Sequence, residues 1–338
     1  MPPLYVVEQG AVLAREGERL VVRREKRVLL SVPAFKVEAV LLFGAVQVTT
    51  QALELLANQG VDVGFFTLKG RLKGRFVSAV SRNVVLRVRQ FERTRDEGFA
   101  RRLAARIVWA KIGNARRVVQ RFARNHPEVS LKDASQQLES LQAQALEAGD
   151  MNALRGVEGT AAAVYFRAFG QMVRHPFAFQ GRRRRPPRDP VNALLSLGYT
   201  LLTNEMVGRL SVHGFDPYLG FYHTLRYGRP SLALDMVEEF RHPVVDRLVL
   251  SLVNRRVLKP ENFTVEEDGS VRLEPSALKR FLSAYEAALR RPVGWRRRPA
   301  DLSPDREVSV REVLDAQVRR LAHAVQSGGS YQPFEWEG

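Results

Sequence analysis

Carboxylates and one imidazole, set in three separate and locally ordered segments, are the residues of this chain best suited to chemistry. Glu158 lies in Gly156-Val157-Glu158-Gly159, His223 follows the turn-rich run from Gly214 to Gly220, and Asp235, Glu238 and Glu239 fall between Ser231 and Phe240. Carboxylate oxygens and an imidazole nitrogen can hold a divalent cation while leaving positions for water and a phosphate oxygen. Such a cation polarises a phosphoryl group and stabilises the attacking or leaving oxygen. Oxygen-dominated ligation suits Mg²⁺ or Mn²⁺, with the imidazole favouring Mn²⁺. In a chain of formal net charge +17, a site of that kind points to phosphodiester chemistry.

Each residue also has a plainer use. Glu158 shares a predicted helix face with Ala162, Tyr165 and Phe169, where an arginine from elsewhere would satisfy it equally well. A single histidine is more often a satisfied core residue than a ligand. His126, His175, His213, His242 and His323 have no comparable acidic company in a matching motif, and His213 precedes the Gly-Phe-Asp turn rather than following it. Glu238 and Glu239 lie three and four residues after Asp235, so either can share its face. They point about 100° apart, so spacing does not choose between them. Ser231 is the expected N-cap of this helix, and Arg241 or Arg247 the expected partner of Glu239 or Asp246.

The wider text does choose. HGFDPYLGFYHTLRYGRPSLALDMVEEFRHPVVDRLVL at 213–250 resembles the signature of the CRISPR adaptation integrases, metal-dependent DNA nucleases that insert spacers. GVEGTAAAVYF at 156–166, DPVNALLSLGYTLL at 189–202 and the closing YQPF at 331–334 resemble the same family. RIVWAKIGNARRVV resembles its first long catalytic helix, with Lys111 and Asn114 at recurrent positions. The resemblance covers the whole chain. It implies Glu158, His223 and Glu238 as catalytic metal ligands, and Asp235 as a further ligand or outer-shell base. It also implies DNA as substrate, a 3′-hydroxyl of captured spacer DNA attacking repeat DNA, and a homodimer. In the family two such dimers are bridged by a small second CRISPR adaptation protein. The rivals are a stand-alone repair nuclease for branched DNA, using water as nucleophile, and a non-catalytic DNA-binding subunit. The intact Glu158, His223 and Glu238 set speaks against the second.

These residues need a scaffold, and the chain of 338 residues with 45% hydrophobic content is long enough for two domains. The expected fold is α+β: a small N-terminal β-rich domain followed by a larger all-α catalytic domain. Short runs rich in Val, Leu and Phe fill residues 1–78, interrupted by one predicted helix at 49–59 with Ala52, Leu55 and Leu56 on one face and Gly60 as its stop. Exposed strand edges there suit pairing with a second copy. A linker is expected at 79–88, the helical catalytic domain at 89–328 and a tail at 329–338. Helices fit 84–124, 131–148, 158–169, 190–210, 231–254, 275–290 and 307–326.

The basic residues are 45 Arg and 8 Lys, a bias that favours bidentate phosphate contacts. Two clusters stand out: Arg182, Arg183, Arg184 and Arg185 in a Gly/Pro loop, and Arg296, Arg297 and Arg298 beside Trp295. Both are candidate nucleic-acid contacts, with Trp295 available either for base stacking or for the core. Absence of cysteine excludes disulfides, thiolate metal sites and cysteine nucleophiles. No run approaches the roughly 18 apolar residues of a transmembrane helix, so no membrane role is expected. The N-terminus lacks a signal-peptide pattern, and the cytoplasm is the default location.

Overall fold

The short apolar runs of the first 76 residues pair into two four-stranded sheets. The computed structural model describes residues 2–77, 83–183, 186–298 and 307–338. The strands are β1 (Leu4–Val6), β2 (Val12–Glu16), β3 (Arg19–Arg24), β4 (Arg27–Pro33), β5 (Ala39–Phe43), β6 (Gln47–Val48), β7 (Asp62–Phe66) and β8 (Leu72–Phe76). One sheet has the order β1-β5-β7-β8 and the other β4-β3-β2-β6. Because β5 and β7 run parallel, the chain must cross over between them, and α1 (Thr50–Asn58) lies in that crossover. The helix is where its pattern puts it. The Thr49 side chain accepts from Ala52 N at 3.2 Å, and Ala52, Leu55 and Leu56 bury their stripe against Leu13, Val40 and Val63. Strand β4 is an edge, with Val28, Leu29 and Leu30 all exposed.

From residue 83 onward the fold is helical apart from one hairpin. The helices are α2 (Val84–Arg95), α3 (Glu97–Asn125), α4 (Lys132–Glu147), α5 (Met151–Met172), α6 (Pro190–His213), α7 (Ser231–Val237), α8 (Arg247–Asn254), α9 (Pro275–Arg290) and α10 (Val310–Ser327). The hairpin β9 (Phe263–Val265) and β10 (Val271–Leu273) adds two strands to a region expected to be all helix. Helix α2 begins inside the expected linker, because Asn83 caps it by accepting from Leu86 N; the rest of that linker, 79–82, lies outside the described residues. Asp96 splits the expected 84–124 helix by capping α3 through Phe99 N at 2.9 Å. Among the described residues no helix is long and apolar enough to cross a membrane.

The expected helix 231–254 is broken into three pieces. Pro243 has no N–H to give to the Glu239 carbonyl, and the stretch Arg241–Asp246 winds as a π-helix instead. The Glu239 carbonyl is satisfied from outside: the Asn114 amide on α3 donates to it at 2.8 Å. Ser231 is not the cap. Pro230 occupies that position, and the Ser231 hydroxyl donates to the Thr224 carbonyl at 3.2 Å.

One large apolar cluster runs through the helices and takes in Val7, Phe43 and Phe66 from the β-rich part, which therefore rests directly on the helical part. The closing residues 331–336 are part of that core. Tyr331, Phe334 and Trp336 are buried, and the Phe334 ring stacks on Phe240 at 4.9 Å. Trp295 is buried too, against the edge of Phe334 with the Arg320 guanidinium over its ring. It is therefore not available to stack on a base.

Candidate active site

Four segments converge on one polar cluster. Helix α3 contributes Lys111, α5 contributes Glu158, the loop 214–230 contributes Tyr222 and His223, and α7 with the π-turn contributes Asp235, Glu238 and Arg241. Lys111 Nζ makes ion pairs with both carboxylates, touching Glu158 Oε1 and lying 2.7 Å from Glu238 Oε2. His223 Nε2 faces Glu238 Oε1 at 3.7 Å, and the Tyr222 hydroxyl donates to Glu158 Oε2 at 3.1 Å. Glu158, His223 and Glu238 thus come together although nearly 80 residues separate the first from the last. The choice that spacing left open is made by packing: Glu238 faces this cluster, whereas Glu239 points the other way, to Tyr331, Gln317 and the Phe334 N–H.

Asp235 sits behind His223 rather than beside the other carboxylates. One of its oxygens accepts from the Phe221 and Tyr222 N–H groups at 2.7 and 3.0 Å. The other accepts from the His223 N–H at 2.9 Å and lies 2.7 Å from His223 Nδ1. A carboxylate on Nδ1 holds the ring in place, so that Nε2 faces Glu238. Gly220 permits this close seating: a Cβ there would lie 2.7 Å from the Ser231 carbonyl carbon and 2.8 Å from Asp235 Oδ2.

The electrostatics keep the two outer carboxylates charged. Burial pushes the Glu158 carboxyl upward, but the Lys111 ammonium outweighs it and holds the group below its ordinary value. Glu238 is almost wholly buried, which opposes ionisation, yet Arg241, Lys111 and His223 together hold it far below the usual carboxylate range. Arg241 Nη1 lies 3.0 Å from Glu238 Oε1, so it pairs here and not with Glu239 or Asp246. Asp246 instead accepts from Tyr165 and Tyr199 hydroxyls and lies 2.7 Å from His242 Nδ1.

This constellation spans the segments that a known family shares. The family model for the CRISPR associated protein Cas1 matches residues 4–287. The chain belongs to the Cas1 family. It is 39% identical over 334 residues to the CRISPR-associated endonuclease Cas1 3 of Thermus thermophilus, covering 98% of this chain and 96% of that one. A Cas1 protein from Thermotoga maritima has a solved structure that superposes with TM-score 0.81 at 26% identity, covering 96% of this chain and 97% of that one. A chain of a Cas6-RT-Cas1–Cas2 complex superposes with TM-score 0.83 at 26% identity, covering 99% of this chain and 36% of that one. The α+β architecture expected from the sequence is therefore the Cas1 architecture.

Within this Cas1 fold, sequence reasoning noted Lys111 without a role and missed Tyr222 and Arg241 as members of the cluster. Tyr222 adjoins His223, the one local signal for it. Arg241 is three residues after Glu238 on a helical path, the spacing of an ion pair. Of the first arginine cluster, Arg182 shares the Tyr199 ring with Arg241, the partner of Glu238. Arg182 is engaged by the Asn192 and Ser196 side chains and stacks over Tyr199; Arg183 is exposed; Arg184 and Arg185 lie outside the described residues. Arg297 pairs with Glu335 at 2.9 Å, and Arg296 is exposed.

Proposed function

We propose that this chain is a divalent-metal-dependent DNA endonuclease and integrase of CRISPR adaptation, which joins the 3′-hydroxyl of a spacer DNA to repeat DNA. The convergence of Glu158, His223 and Glu238 around the Lys111 ammonium carries the reading. The donor set fits Mg²⁺ or Mn²⁺. Two ionised carboxylates already have positive charge held between them, and Glu238 Oε2 is buried without a hydrogen-bond donor aligned on it. Among the described residues no group of three His, Asp or Glu side chains is already disposed to hold a metal ion, and the Lys111 ammonium stands where the two carboxylates meet.

Glu158, Glu238 and the Nε2 of His223 would hold the ion. When bound, it would supply Lewis-acid polarisation of the scissile phosphate and charge stabilisation at the attacking or leaving oxygen. Asp235 acts through His223, fixing the ring's tautomer and orientation. Tyr222 orients Glu158 by its hydroxyl. Lys111 and Arg241 offset the acidic charge that would otherwise repel a phosphodiester. DNA can approach from the side of α5 where Gly156 and Gly159 are exposed and a Cβ would meet nothing within 4 Å.

A homodimer and a small Cas2-type partner complete the reading. The exposed apolar edge of β4 favours the first, and the Cas1–Cas2 assembly named for the 26%-identical relative favours the second. The test is a strand-transfer assay. A short duplex with unblocked 3′-hydroxyls becomes covalently joined to repeat-containing DNA in the presence of Mg²⁺ or Mn²⁺, and more efficiently with the partner. Blocking the 3′ ends stops joining and leaves nicking. Nicking without joined product under every partner condition hands the site to a water-using repair nuclease.

A further inference from the structure

The loop between His223 and α7 carries side chains that the fold does not use. The Ser231 hydroxyl donates to the Thr224 carbonyl at 3.2 Å, and Arg229 N donates to the Arg226 carbonyl at 3.0 Å, closing 224–231 into a tight reversal. Gly228 takes φ +69° at the turn, the left-handed region that favours glycine. The tip presents Leu225, Arg226 and Tyr227. Tyr227 is fully exposed, at 109% of its reference area, and Leu225 is 60% exposed. Every other tyrosine among the described residues is at least half covered.

Position makes this tip informative. The loop starts at the residue after His223 and ends at the first residue of the helix that carries Asp235 and is followed directly by Glu238, so both of its feet stand on the candidate site. The reversal pins the backbone of the tip through two hydrogen bonds. The tip therefore has little backbone freedom to lose on binding. Arg226, the preceding residue, is exposed as well, in a chain of net charge +17. An aromatic face with an adjacent guanidinium is the chemistry that binds a single-stranded nucleotide: ring to base, cation to phosphate.

We propose that Tyr227 is a stacking platform for an unpaired DNA base next to the reacting phosphodiester, with Arg226 on the adjoining phosphate. This rests on the reading of the site as a DNA-processing centre and adds a residue and a substrate feature to it. A base drawn out of its duplex loses its neighbours, and the Tyr227 ring replaces one of them. Because every base has a π-face, the contact is tolerant of sequence; it selects DNA with an unpaired nucleotide over fully paired DNA.

The full-length protein is titrated, without metal, against a duplex bearing a short single-stranded 3′ extension with 2-aminopurine at successive positions, and against the blunt duplex. Wild type and Tyr227→Phe quench the fluorophore at one position of the extension. Tyr227→Ala loses that quenching and binds the extended duplex about 5- to 150-fold more weakly, with blunt-duplex affinity unchanged. Equal affinity of Tyr227→Ala and wild type for the extended duplex overturns the proposal, as does an equal loss on both duplexes. A changed oligomeric state in light scattering, with flap binding intact, also overturns it and assigns the tip to contact with a second copy. The Glu238→Gln variant separates this idea from the site reading. Quenching persists there while metal-dependent cleavage is lost; if cleavage survives with quenching intact, the assignment of Glu238 fails and the platform stands.

Discussion

Glu158, His223 and Glu238 each offer a donor that no neighbour duplicates, so single losses are severe. Glu158→Ala, His223→Ala and Glu238→Ala each abolish Mg²⁺- or Mn²⁺-dependent plasmid nicking while circular dichroism shows the fold retained; full activity in His223→Ala overturns the ligand assignment. Asp235→Ala is intermediate, about 10- to 100-fold down, because Asp235 orients His223 from behind rather than facing the other carboxylates. Glu239 makes a second prediction at this scale. Burial raises its carboxyl to about 7 from 4.5, against hydrogen bonds from the Phe334 N–H, Tyr331 and Gln317 that pull it down. Between those two values the folded chain keeps a proton that the unfolded chain has released. Stability therefore falls as pH rises from about 4.5 to about 7, by roughly 3 kcal/mol, and is flat above. Urea denaturation of Glu239→Gln across pH 5–8 has a correspondingly shallower slope than wild type.

At the scale of elements, the closing segment 331–336 works as a clamp. Asn114 on α3 donates to the carbonyls of both Glu239 and Phe334, and the Trp336 N–H donates back to the Asn114 side chain at 2.9 Å. Three separate pieces of chain are tied at one amide, one helical turn from Lys111 on α3 and next to Glu238 on the other side. Phe334→Ala opens a cavity under Phe240 and costs about 3–5 kcal/mol of stability, read from the denaturation midpoint. The loop that carries His223 depends equally on Gly220. A methyl group there meets the Ser231 backbone at 2.7 Å, and backbone cannot swing aside. Gly220→Ala displaces the loop from Asp235 and lowers nicking by an order of magnitude or more, with a smaller change in melting temperature.

Across the whole molecule, the β-rich part and the helices are joined by buried charge as well as by apolar packing. Arg311 on α10 pairs with Glu286 on α9, Glu205 on α6 and Glu38 beside the first sheet, at 2.6, 3.0 and 3.2 Å. Arg311→Ala strands these carboxylates in a poorly solvated place and costs about 3–5 kcal/mol, seen in the urea midpoint. The net charge acts at longer range. DNA affinity falls steeply with salt, and neutralising Arg183 or Arg296, both exposed, lowers the slope of log K against log salt by about 0.7–0.9 each. An unchanged slope makes those arginines a solvated charge run.

What the sequence determined by itself was local. Helix α1 was legible because the Ala52-Leu55-Leu56 stripe and Gly60 are near neighbours whose preferences agree. Glu158, His223 and Glu238 were legible as a set through family resemblance, since each lies in a short run with its own turn or helix signals. The tertiary structure decided whatever depends on which faces meet. Glu238 and Glu239 differ by one residue, and only the placement of α3 on one side and of α10 with the closing segment on the other sends one to Lys111 and the other to Gln317 and Tyr331. The partnership of Lys111 with Glu158 spans 47 residues, and that of Asn114 with Phe334 spans 220. No local period encodes such pairings. They follow from burial: each polar group carried inward by an apolar face must find its partner on whatever element the core brings opposite.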